Sequence, residues 1–172
     1  MDTKLTGKTR IESDLIGARE IPAEALYGVQ TLRGIENFSI SKFRLSEYPL
    51  FIKGLAITKM AAAMANFELG LLTVEQKDAI IAACGEIIDG KHHDQFPVDM
   101  IQGGAGTTTN MNANEVIANR ALELMGHERG EYQYCSPNDH VNCSQSTNDA
   151  YPTAIHIGMY FKHLQLLPHL EE

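Results

Sequence analysis

Gly103-Gly104-Ala105-Gly106-Thr107-Thr108-Thr109-Asn110-Met111-Asn112-Ala113-Asn114-Glu115 is a glycine loop that runs through threonines and asparagines into a helical pattern. The apolar positions of that pattern are Val116, Ile117, Ala118, Ala121, Leu122, Leu124 and Met125, and Gly126 is its stop. Glycine lets a backbone turn tightly and approach a ligand closely. Hydroxyls and amides supply neutral hydrogen-bond partners. The helix start directs free N–H groups and the positive end of its dipole at the loop. Loop and helix start together are an anion site. No Lys-Ser/Thr pair follows the last glycine, so this is not a Walker A loop. Few cations line it, which favours a carboxylate over a triphosphate as guest. A plain glycine turn with an N-cap is the competing account of the stretch.

Downstream, Glu131 to Asn142 reads as a polar loop, with Ser136-Pro137 and Asn138-Asp139 as turn formers. His140 beside Asp139 suggests a general base, but adjacency in sequence does not put side chains in contact, and a lone histidine is more often structural. A second cluster, Ser144-Gln145-Ser146-Thr147-Asn148-Asp149, repeats the chemistry of the glycine stretch ahead of another helix. That helix runs from Tyr151 to Leu170 with almost no polar relief, and Pro152 is expected in its first turn. A helix apolar on nearly every side belongs inside a bundle, and no later segment is present to cover it. The chain therefore reads as part of a longer protein.

Upstream, Pro49 opens a helix in which Ile57, Met60, Ala61, Met64, Phe67 and Leu71 recur at helical spacing, with Gly70 as its C′ residue. Thr73 and Gln76 form a capping box for the next helix, whose stripe is Ile80, Ile81, Cys84, Ile87 and Ile88 and whose stop is Gly90. The short connection predicts an antiparallel pair. His92 and His93 read as surface residues. Further upstream the patterns are weak. Residues 1–10 are expected to be loosely ordered, Arg10 to Gly28 extended or turning and kept wet by Glu12, Asp14, Arg19 and Glu20, and Ala23 to Ile35 a short, glycine-interrupted helix. Phe38, Ile40, Phe43 and Leu45 are read as anchors of an irregular segment.

The whole sequence has 172 residues, enough for a real core, and its 44% hydrophobic and 21% charged composition is that of a folded chain. A net charge of −8 argues against a nucleic-acid or anionic-membrane partner. Three cysteines without regular spacing predict free thiols in a reducing cytoplasm. No signal-peptide core is present at the N-terminus, and no apolar run reads as long enough to span a bilayer.

Two neutral anion clusters, each before a helix, suggest a substrate with two carboxylates. The segments Gly103 to Thr107, Asn110 to Asn119 and Ser136 to Thr153 resemble the aspartase/fumarase superfamily, and the resemblance extends through Tyr27-Gly28-Val29-Gln30-Thr31 and Glu36-Asn37-Phe38. Ala105 and Ser146-Thr147-Asn148 point to its aspartase branch, because fumarases usually carry Ser-Gly-Thr and Ser-Ser-Asn there. The resemblance implies a mainly α fold. Residues 1–145 would be the N-terminal mixed, mostly helical domain, and residues 146–172 the start of a central helical bundle that is cut short. It implies anti-elimination of ammonia from L-aspartate to give fumarate, without cofactor or metal. A base removes a C3 proton, and charge spreads into the adjacent carboxylate as an enediolate. Thr107, Ser146, Thr147 and Asn148 would contact the substrate, with Thr107 and Ser146 on the carboxylate that gains charge and Asn148 near the substrate's polar centre. Asn138 and Asp139 match a segment linked in fumarases to a secondary anion site, from which Ser136 departs. The expected base, a serine in a Gly-Ser-Ser loop, would lie beyond residue 172, so no residue here is assigned as catalytic. The resemblance also implies a homotetramer of full-length chains. Fumarate hydratase or another lyase of the superfamily is the nearest alternative. A non-catalytic helical interaction module is the alternative of another class.

Overall fold

The structure is a computed structural model that describes residues 7–171. The fold is mainly α. A two-stranded antiparallel hairpin, β1 (Thr9–Asp14) and β2 (Gly17–Pro22), precedes five helices: α1 (Val29–Asn37), α2 (Pro49–Glu68), α3 (Val74–Ile88), α4 (Thr107–Leu124) and α5 (Thr147–Glu171). Single helical turns at Leu45–Glu47, His93–Gln95, Gly104–Gly106 and Pro137–Val141 interrupt the connections, the last with π geometry.

The hairpin replaces the irregular start expected from sequence. Residues 1–6 of the expected loose segment lie outside the described residues, and Thr9 and Arg10 already pair with Pro22 and Ile21. Two of the charges read as wetting this segment are structural. Glu12 is buried, and the carboxylate of Asp14 accepts two hydrogen bonds of 2.7 Å from the Arg33 guanidinium. Arg10 gathers the carbonyls of Pro22, Ala25 and Tyr27 and closes the far end of the hairpin.

α1 begins at Val29, later than the sequence suggests, because its cap is not local. The Glu115 carboxylate on α4 accepts the backbone N–H groups of Gly28, Gln30 and Thr31 at 2.8–3.0 Å. These are donors that a helix start leaves unsatisfied. A Cβ at Gly28 would lie 2.6 Å from a Glu12 carboxylate oxygen and 2.8 Å from Glu115 Cδ, so two packed acids require glycine there. Of the residues read as anchors of the next segment, Leu45 is fully buried, while Ile40 and Phe43 stand exposed. Asp99 holds that strap instead, accepting from the N–H groups of Ile40, Ser41 and Ile101.

α2, α3 and α4 supply the core, with Ile52, Leu55, Ile80, Ile87, Ile117 and Leu122 almost without exposure. The capping box of α3 is present, with Gln76 N–H on Thr73 Oγ1 at 3.2 Å and Thr73 N–H on Gln76 Oε1 at 3.1 Å. Gly70 and Gly90 follow α2 and α3 in left-handed backbone. The inward face of α2 is not the one picked from spacing. Ile52, Leu55, Ala56, Lys59, Ala63 and Asn66 are buried, while Met64 and Ala61 are exposed. α2 is also, contrary to expectation, long and apolar enough by composition to cross a membrane; in the fold it is a core helix that packs on α3 and α5 and carries a buried lysine.

α5 lies along α2 through small residues. A Cβ on Gly54 would collide with the Ala154 carbonyl, and one on Gly158 would sit 3.1–3.2 Å from the Leu50 and Phe51 backbone. Beyond Gly158 the apolar side chains Met159, Tyr160, Leu164, Leu166, Leu167 and Leu170 are exposed. Pro152 is not in the first turn. It sits one turn further in, where its missing N–H leaves the Asn148 carbonyl without its helical donor.

Two ion pairs make this fold sensitive to acid. Arg33 beside Asp14 and Arg120 beside Glu86 each hold the carboxyl near 2, from ordinary values of 3.8 and 4.5. The Glu86–Arg120 pair, at 2.6 and 2.8 Å, ties α3 to α4. A depressed carboxyl contributes stability above its unfolded value and loses it as pH falls toward the folded value. Urea midpoints should therefore fall between about pH 4.5 and pH 2, and Glu86→Gln should remove part of that fall.

Candidate functional site

The glycine loop and the start of α5 border one cleft of about 520 Å³, whose lining includes Met100, Gln102, Ala105, Gly106, Asn148 and Tyr151. Three successive residues, Gly104, Ala105 and Gly106, take left-handed φ values of 72°, 49° and 93°, which turn the chain abruptly into α4. The alanine among them is strained, since its Cβ disfavours that region. Gln102 fixes the turn from inside. Its Oε1 accepts the Thr109 N–H at 2.8 Å, and its Nε2 donates to Thr109 Oγ1 at 2.6 Å. Ser144, at φ 57°, makes the equivalent sharp entry before α5.

Of the four residues singled out from sequence, Asn148 lines this cleft, while Thr107, Ser146 and Thr147 adjoin its lining residues along the chain. Thr107 is the first residue of α4 and exposed, and its hydroxyl donates to the Gly104 carbonyl at 2.6 Å. Ser146 precedes α5, and its Oγ accepts the Asn148 N–H at 3.2 Å and donates to no partner among the described residues. Thr147 Oγ1 accepts from Asn110 Nδ2 at 3.3 Å and likewise donates to no partner among the described residues. Asn148 is exposed and lines the cleft. Asn110 stands one turn after Thr107, so its bond to Thr147 joins the two helix starts.

Most other polar residues of the opening stretch are turned into the protein. Thr109, Asn110, Asn112 and Asn114 are buried. Asn112 donates to the Gln95 carbonyl, while Asn110 and Asn114 both donate to Asn142 Oδ1, at 3.0 and 3.2 Å. The stretch is thus part cleft wall and part internal scaffold.

Lys59 is the residue that the sequence conceals. It is completely buried on α2, and its Nζ donates to Asn142 Oδ1 and Gln145 Oε1, each at 2.9 Å. Burial pushes its pKa down to about 7. Gln145 in turn donates to the Val141 and Cys143 carbonyls, and Asn66 donates to Cys143 O. Lys59 is therefore the floor on which residues 142–146 rest, and that segment delivers Ser146. The only signal in the sequence is a lysine inside an apolar helix.

His140 is structural. Its Nδ1 accepts the Ser136 N–H at 2.8 Å within the π turn, and burial lowers its pKa. His92 and His93 are half-buried rather than on the surface, with Nε2 atoms 2.9 Å from Glu86 Oε2 and 2.8 Å from the Ile87 carbonyl. No group of three or more His, Cys, Asp or Glu able to hold a metal occurs among the described residues. A second cleft of about 550 Å³ lies near Arg10 and Arg129, whose guanidinium groups are already bound to backbone carbonyls and to Glu12 and Glu123.

Comparison with known proteins places these features in context. A family model described as lyase matches residues 17–172. Aspartate ammonia-lyase of Helicobacter pylori strain J99 is 64% identical over 151 residues, covering 88% of this chain and 32% of the relative. Aspartate ammonia-lyase of Escherichia coli K12 is 57% identical over 164 residues, covering 95% and 34%. Among solved structures, the fumarate lyase:delta crystallin of Brucella melitensis superposes with a TM-score of 0.93 at 52% identity, covering 95% of this chain and 38% of that one. The class II fumarase of Schistosoma mansoni superposes at 0.82 with 39% identity, covering 88% and 32%. The chain spans about a third of the length of the curated relatives it matches.

Proposed function

We propose, since this chain belongs to the lyase family, that it forms the N-terminal part of an aspartate ammonia-lyase, which eliminates ammonia from L-aspartate to give fumarate. The observation that carries the proposal is the pairing of two helix starts on one cleft, lined by Gly106 and Asn148, with the hydroxyls of Ser146 and Thr147 next to Asn148 along the chain. Removing a proton from C3 moves charge into the neighbouring carboxylate. Donors fixed in advance stabilise that charge without reorganising. The hydroxyls of Ser146 and Thr147 are such donors, set in the positive field of the α4 and α5 starts, whose own N–H groups at Thr107, Thr109, Asn148, Asp149 and Ala150 are held within the chain. Thr107 joins them once its hydroxyl leaves the Gly104 carbonyl. Asn148 serves the polar group on C2, where its amide offers an acceptor for an ammonium.

Met100, Gln102, Asn148 and Tyr151 include no general base at neutral pH, so the proposal places the base outside the residues described here. Residues 1–145 belong to the N-terminal domain and residues 146–172 to a central bundle, a division supported by the bare apolar face of α5 beyond Gly158. The same face supports assembly as a homotetramer. Free Cys84, Cys135 and Cys143 fit a cytoplasmic setting. Fumarate hydration is the alternative reading, favoured by the superposition on a class II fumarase. Fumarate absorbance during incubation of the full-length protein with L-aspartate tests the proposal.

A further inference from the structure

The geometry points to Tyr151 as a positioning residue whose ring sets how closely the starts of α4 and α5 converge on one substrate carboxylate. The inference rests on the lyase reading above and adds a residue to it. Gly106 is buried at φ 93°, and a Cβ there would collide with the Tyr151 ring, at 2.3 Å from Cγ and Cδ2 and 2.6 Å from Cδ1. Backbone and ring face are therefore in direct contact. The next residue along the chain is Thr107, and Tyr151 itself lies one turn after Thr147 and Asn148. The contact spans the two donor groups. On α2, Phe51 meets the same ring edge-on, with centroids 5.5 Å apart and planes at 73°. The ring is thus held between Phe51 and the glycine loop.

The phenol does no other visible work. Its hydroxyl makes no hydrogen bond among the described residues, and burial holds its pKa above the usual value, so it stays neutral and is not a base at neutral pH. What the site uses is the flat ring. A branched aliphatic side chain in its place lets Gly106 and α5 approach or separate, and donor positions shift with them. Such a shift penalises the transition state most, because the donors match the developing charge rather than the resting carboxylate.

The test uses the full-length protein with three readouts: kcat/KM for L-aspartate, affinity for succinate as a ground-state dicarboxylate, and affinity for 3-nitropropionate, whose nitronate carries the charge and planarity of the enediolate. Tyr151→Leu is expected to lower kcat/KM about 100-fold and nitronate affinity by a similar factor, with succinate affinity falling less than about fivefold. Tyr151→Phe, which keeps the ring, should restore kcat/KM to within about threefold of the unsubstituted protein. An equal loss for both inhibitors, or a Leu variant as active as the Phe variant, overturns the inference. If Tyr151→Leu gives no folded protein, Phe51→Leu decides. It frees the outer edge of the ring and should lower kcat/KM about tenfold with the same inhibitor pattern, and unchanged kinetics overturn the inference. Turnover by the unsubstituted protein tests the lyase reading, whereas the contrast between variants tests the spacer, so the two failures are distinguishable.

Discussion

Replacing Lys59 with alanine is expected to destabilise the chain by about 3–5 kcal/mol, measured as a loss of urea midpoint at constant m-value. The size follows from three losses at one place. The side chain is fully buried, so its removal opens a cavity in the middle of α2. Among the described residues, Gln145 Oε1 loses its Lys59 donor and Asn142 Oδ1 keeps the two asparagines of α4. An orphaned buried acceptor costs about 1–3 kcal/mol. Lys59→Met separates the terms. It fills most of the volume and removes only the charge and the donors, so it should cost clearly less than alanine. The pH dependence gives an independent check. Burial lowers the folded pKa of Lys59 to about 7, below its ordinary 10.5, so the unfolded chain binds more protons between those values. Stability attributable to this group therefore rises with pH from about 7 to about 10, and that rise should vanish in Lys59→Met.

The second large effect is catalytic. Ser146→Ala in the full-length protein is expected to cost about 2–4 kcal/mol in kcat/KM for L-aspartate, the range for losing one donor to a developing oxyanion. Thr107→Ala should cost less, because the Thr107 hydroxyl begins on the Gly104 carbonyl and part of its contribution is offset by breaking that 2.6 Å bond. Ser146 has no such donated bond to break among the described residues. It also caps α5, and losing the cap costs about 1 kcal/mol of stability. Ser146→Gly preserves most of the cap tolerance and should show the same kinetic loss with a smaller thermal one. A thermal loss without a kinetic one would make Ser146 a cap and nothing more.

The parts of the fold legible in sequence are those where local signals act alone. The α3 capping box, the glycine stops and the Ile80, Cys84 and Ile87 part of the α3 stripe follow from local signals, while Ile81 and Ile88 are only half-buried and Ala79 and Ala83 complete the face. Misreadings occur where a distant group decides. α1 starts at Val29 because Glu115, far along the chain, supplies its cap. The hairpin was hidden because its inward side chains include Glu12 and its tip exposes Leu15 and Ile16, so no alternation marks it. α2 is apolar on every side, and periodicity cannot choose the phase of such a helix; packing against Ala154 and Asn142 chose the face with Lys59. The candidate site was legible as two helix starts rich in hydroxyls and amides. The division of labour within them was not, since an asparagine that lines a cleft and one that braces a loop look alike until Asn142 and Lys59 are placed beside them. Tyr151 and Gln102 gave no signal of their own because their partners, Gly106 and Thr109, are set by the turn between them.

The most direct measurement supplies the full-length protein with L-aspartate and with L-malate in parallel and follows ammonia release and fumarate absorbance. The prediction is fumarate and ammonia in equal amounts from L-aspartate, with no comparable fumarate from L-malate. Fumarate from L-malate with none from L-aspartate would contradict it and assign the two helix starts to a hydratase.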